Sequence, residues 1–121
     1  MERITSAQRD IVRQCIYTAA EHFPAVDWDS LVFFRKDLQG EATGWIEWDE
    51  DGDATIIIDS NIRTETDLRE LLAHEFAHYV LAETDVSTHN KRPHGPEWFT
   101  IYGLLLQKLV WQVYYPEEWE N

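Results

Sequence analysis

A small α+β domain with an N-terminal helix, a short three-stranded sheet and two further helices follows from three observations. Apolar residues recur at helical spacing near the N-terminus and again beyond residue 64. Three short stretches between them are rich in aromatic and β-branched side chains. The chain has 121 residues and is 44% hydrophobic, enough for one core and not comfortably for two, so residues 1–121 are expected to form a single domain.

The first helix is "TSAQRDIVRQCIYTAAEHF", over about residues 5–22. Ile11, Cys15, Ile16 and Ala19 fall on one face, Thr5 or Ser6 can cap the start, and Pro24 stops it. Strands are expected at 30–36 ("SLVFFRK"), 43–48 ("TGWIEW") and 54–60 ("ATIIIDS"). In the second, alternation puts Trp45 with Glu47 on one face and Ile46 with Trp48 on the other. The third is a continuous apolar run, the pattern of a strand covered on both faces. Between these two, "DEDGD" carries an Asp-Gly pair suited to a hairpin turn. A calcium loop beginning at Asp49 would need glycine at 54 and glutamate at 60, where Ala54 and Ser60 stand. The pattern turns helical over 64–84, with Thr64 and Asp67 spaced like a capping box. Residues 85–95 are polar and read as a loop. Residues 96–115 read as one last helix, with Pro96 in its first turn and apolar side chains around most of its circumference, as for a helix deep in the core. Pro116 is expected to close it before a short acidic tail.

Composition narrows the function classes. No run approaches the ~18 apolar residues of a membrane span, and the first residues lack a signal peptide's apolar core, so a cytoplasmic location is expected. Cys15 is the only cysteine, which excludes an intramolecular disulfide and a cysteine-cage zinc site. The formal net charge is −13, and residues 37–59 hold eight acidic side chains and no basic one. Such a surface repels phosphates, so direct DNA binding is disfavoured. It serves solubility, or docks on a basic protein partner.

Chemistry concentrates in "HEFAHYV". His74 and His78 lie one helical turn apart and can present imidazole nitrogens to one point, the zincin pattern His-Glu-x-x-His for Zn²⁺. Glu75 can reach a water on the metal and take its proton as the water attacks a carbonyl; zinc lowers that water's pKa from ~16 to about 7. A third ligand is needed. His94, in "PHGPEW", stands sixteen residues beyond His78 and leads the candidates; His89 and Glu97 are its rivals, and His22 reads as a solvent or cap residue.

"HEFAHYV", a polar spacer and then "HGPEW" together resemble the SprT-like metallopeptidases, the group that includes the Spartan proteases. The resemblance covers about residues 70–100 directly and implies a zincin-like fold. It implies zinc held by His74, His78 and His94, Glu75 as general base, and cleavage of unstructured protein segments. The best-known members act on proteins attached to DNA through basic surfaces, and many carry a cysteine-ligated zinc ribbon; this chain is acidic and has one cysteine. The expected function is therefore zinc-dependent hydrolysis of peptide bonds in protein or peptide substrates. The alternative is an acidic binding protein, a nucleic-acid mimic or inhibitor, in which zinc is structural. An extended substrate can pair with "TGWIEW" if that strand is a sheet edge, although Trp45 and Trp48 also suit a core or a partner surface. Lys91 and Arg92 flank the third histidine, and Tyr79, Tyr102 or His89 can donate to a transition-state oxyanion.

Overall fold

The computed structural model describes residues 1–115. A two-residue strand, β1 (Glu2–Arg3), leads directly into α1 (Ser6–His22). Of the two possible caps, Thr5 is the one used. Its hydroxyl accepts from the Gln8 N–H at 3.1 Å while the Gln8 side chain accepts from the Thr5 N–H at 3.0 Å, a reciprocal box that satisfies two orphan donors. Val12, Cys15 and Ala19 form the buried stripe of α1, with Ile11 and Ile16 packed at its margins. The helix ends at Phe23, just before Pro24.

A 3₁₀ turn (Trp28–Ser30) precedes β2 (Val32–Lys36), followed by β3 (Gly44–Trp48) and β4 (Ala54–Asp59). The sheet has four strands rather than three, in the order β1-β2-β4-β3. β1 is too short to carry a sequence pattern, and its existence depends on β2: Glu2 pairs Arg35 and Arg3 pairs Phe34, antiparallel. β2 and β4 run parallel, and β3 pairs β4 antiparallel from Gly44↔Ile58 to Trp48↔Ala54. Lying between two strands, β4 buries Ile56, Ile57 and Ile58 in succession. β3 is an edge, with Ile46 and Trp48 against the core and the Trp45 indole donating to Glu47 at 3.2 Å on the opposite face. In the β3–β4 connection Gly52 takes φ +85°, and one Asp49 oxygen accepts from the Asp51 and Asp53 N–H groups, each at 2.9 Å.

α2 (Glu65–Thr84) starts at Thr64, whose hydroxyl accepts from the Asp67 N–H at 3.0 Å. It is buried around most of its circumference, so Arg69, Glu75 and His78 are carried inside along with Leu72, Phe76 and Val80. Arg69 is only 4% exposed, and its guanidinium donates to the Leu109 carbonyl at 3.1 Å, Gln14 at 2.6 Å and Glu65 at 3.2 Å. One cation thereby joins α1, α2 and the C-terminal helical segment, with its own burial offset by these partners.

Two expectations about the second half are corrected. Residues 85–95 are not all loop: α3 (Val86–Lys91) is capped by Asp85, which accepts from the Thr88 N–H at 3.2 Å and hydroxyl at 2.7 Å. Nor is 96–115 one regular helix. α4 (Pro96–Leu106) widens into a π segment at Gln107–Trp111, the stretch that offers Leu109 to Arg69, before α5 (Gln112–Tyr114). Trp98, Leu105, Leu109 and Val110 are buried against α2 while Phe99, Trp111 and Val113 are exposed, so this segment covers the core with one face instead of lying within it. Pro116 and the acidic tail lie outside the described residues. Among the described residues no helix is long and apolar enough to cross a membrane.

Gly44 sets how closely β3 approaches α2. A Cβ there would meet the Ile57 carbonyl at 2.5 Å and the Leu71 side chain at 2.7 Å, whereas one at Gly103 in α4 would meet nothing. Gly44→Ala should therefore cost about 1–3 kcal/mol by overpacking, while Gly103→Ala should gain about 0.5–1 kcal/mol of helix stability, both read from denaturant midpoints.

Candidate metal centre

α2 sets the first two histidines one turn apart, their ring centroids 5.1 Å from each other. The third arrives from the connection between α3 and α4, which turns back on itself: the Gly95 N–H donates to the Arg92 carbonyl at 3.1 Å, and Arg92 pairs Glu97 at 3.0 Å. His94 Nε2 then stands 2.9 Å from His78 Nε2, and nitrogens of His74, His78 and His94 all lie within 4.8 Å of one another. His78 is buried, His74 half-buried and His94 exposed, so the cluster opens to solvent on one side.

The rivals are placed elsewhere. His89 Nε2 lies 3.1 Å from His78 Nδ1, the ring nitrogen facing away from His94, so it sits behind the cluster. Glu97 is turned to Arg92, and His22 is exposed at the end of α1. Lys91 and Arg92 are exposed beside His94. Asp49, Asp51 and Asp53 also approach within 4.8 Å at the exposed hairpin tip, but the backbone bonds to Asp49 account for that turn without a ligand.

Trp98 is the residue that sequence reasoning passed over. It is 3% exposed, with ring centroids 4.8 Å from His74, 5.2 Å from His78 and 4.7 Å from His94, and so forms the floor beneath all three imidazoles. Tyr102, one helical turn later, stacks on it at 4.8 Å and 13°. The available signal was the i, i+4 aromatic pair on a helix beginning at Pro96.

Burial sets the electrostatics. His78 is driven down to about 3, first by desolvation and then by the charge that His74, His94 and His89 would carry if protonated. His74 and His89 are lowered too, by desolvation and then by His94. At neutral pH His74 and His78 therefore hold free lone pairs, and with His94 beside them and solvent access for a fourth ligand the cluster suits a borderline-soft divalent cation.

Glu75 is 5% exposed, with Oε1 3.7 Å from His74 Nε2. Desolvation pushes its carboxyl up to about 7, against a hydrogen bond from the Ile46 backbone on β3 that lowers it. His74, Glu75 and Tyr102 share a cleft of about 350 Å³ with Thr43 and Gly44 at the start of β3. Among the oxyanion candidates, the Tyr79 hydroxyl donates to the Asp27 carbonyl within the core, and burial holds it up at about 12. His89 is occupied with His78, and only Tyr102 lines the cleft.

A family model described as SprT-like matches residues 17–108. The chain belongs to the SprT-like family. The SprT-like match runs from within α1 to the π segment and contains Glu75 and all three clustered histidines. As an SprT-like protein it is a metallopeptidase-like domain whose histidine cluster can hold a metal ion. No curated protein and no solved structure matches the chain.

The raised Glu75 pKa has a stability consequence of definite sign. The folded state holds this proton more tightly than an ordinary carboxyl at 4.5, so the contribution is complete below pH 4.5 and is lost as pH rises to about 7. In metal-free protein, Glu75→Gln should therefore gain melting temperature over wild type as pH rises across that window and level off above it.

Proposed function

We propose that this chain is a zinc-dependent metallopeptidase in which His74, His78 and His94 hold Zn²⁺ and Glu75 is the general base. The observation that carries this reading is the convergence of three imidazoles beside a buried carboxylate at the edge of a sheet. When bound, Zn²⁺ supplies a Lewis acid that brings the pKa of a coordinated water to about 7. Glu75, buried beside His74, would accept a proton from the attacking water and return it to the departing amine. Substrate lies extended along β3, held by backbone pairing, which suits flexible protein segments of varied sequence. Tyr102, kept protonated by burial and by Glu70, donates its O–H to the developing oxyanion. His89 positions the site from behind. By accepting the Nδ1–H of His78 it leaves the lone pair on Nε2, the nitrogen facing His94.

Glu75→Gln should retain zinc by elemental analysis and lose about a hundredfold or more of its cleavage of a denatured, fluorescently labelled protein. His94→Ala should lose the zinc itself. Equal cleavage by wild type and Glu75→Gln would sink the peptidase reading. The acidic hairpin, with Glu47, Asp49, Glu50, Asp51 and Asp53 exposed, supports a second reading, binding of a basic protein with zinc as a brace. That binding would be salt-sensitive, would survive Glu75→Gln and would vanish when these acids are neutralised.

His89→Ala should fold normally yet bind zinc about tenfold more weakly in competition with a chelator, with partial recovery in His89→Gln, whose amide oxygen can accept the same bond. Unchanged affinity would remove His89 from the site.

A further inference from the structure

A second concavity lies away from the histidines. A groove of about 770 Å³ runs between α1 and the β1–β2 side of the sheet, walled by apolar side chains that include Val12, Ile16, Trp28, Leu31 and Phe33. It shares no residue with the cleft around His74 and Glu75 and lies toward the sheet edge opposite β3.

Charge says what would fill it. Arg3, Arg9 and Arg13 line the groove, three of only ten basic residues in a chain with 23 acidic ones. Arg9 and Arg13 stand one turn apart on α1, and among the described residues none of the three makes an ion pair. Asp29 is the one carboxylate lining the groove.

We propose that this groove docks a segment of a partner protein that carries both apolar and acidic side chains, laid along α1 beside Arg9 and Arg13. Apolar side chains of the segment enter the groove, and its carboxylates meet Arg9 and Arg13 on the same helix that supplies the apolar wall. The apolar wall favours a peptide over a nucleic acid. The proposal is independent of zinc and of Glu75.

The test uses a fluorescent peptide of about ten residues combining aspartate with leucine, valine and phenylalanine, a counterpart with lysine for aspartate, and a single-stranded oligonucleotide, each titrated against the full chain by anisotropy. The aspartate peptide should bind and the lysine peptide should not. The double variant Arg9→Glu, Arg13→Glu, both exposed positions, should weaken binding about tenfold or more with an unchanged circular dichroism spectrum, while Glu75→Gln has no effect. Amide shifts on binding should centre on Arg9 and Arg13. The proposal is overturned by absence of aspartate-peptide binding, by indifference to the arginine reversals, by shifts centred on β3, or by arginine-dependent capture of the oligonucleotide instead.

Discussion

The burial of α2 is the constraint on which the site depends. A helix covered by the sheet on one side and by α4 on another cannot leave its polar groups to water, so each must be answered from within. Arg69 is answered fully, by a carbonyl, an amide and a carboxylate from three parts of the chain. His78 is answered by an imidazole on each ring nitrogen. Glu75 receives only backbone help from Ile46, and its affinity for a proton rises accordingly. One helix thus carries a polar residue that braces the fold and another left under-compensated beside the histidine cluster.

α4 closes the arrangement from the other side. The face that seals the core with Leu105 and Leu109 also brings Trp98 under the three imidazoles. An aromatic floor excludes water beneath the ring cluster without offering it an anion, and it contributes to the depressed basicity of the histidines.

What the sequence disclosed and withheld follows from how local each cause is. The starts of α1 and α2 were legible because Thr5 and Thr64 bond to residues three positions on. β3 and β4 were legible because their faces alternate or are both covered. The three histidines were legible because two share a helix face and the third follows in a recognisable pattern. β1 was hidden, since two residues become a strand only when β2 lies beside them. α3 was hidden among polar residues with none buried, although Asp85 and Thr88 hold a readable cap spacing. The π segment answers Arg69 across forty residues of sequence, and no local window contains that cause. His89's place behind His78 is likewise a fact of packing.

The sheet order has an electrical consequence. The β3–β4 hairpin carries Asp49, Glu50, Asp51 and Asp53 at one margin, and Arg3, Arg9 and Arg13 gather toward the other. Four strands at about 4.8 Å spacing set those margins roughly 15 Å apart, beyond the screening length of about 8 Å at physiological salt, so the two poles do not cancel for anything at contact distance. Within its large negative net charge the two margins of the sheet therefore differ in local sign. A charged chain brought close to the sheet would feel a force at one margin opposite in sign to that at the other, and the sheet's strand order, more than its composition, sets which margin is which.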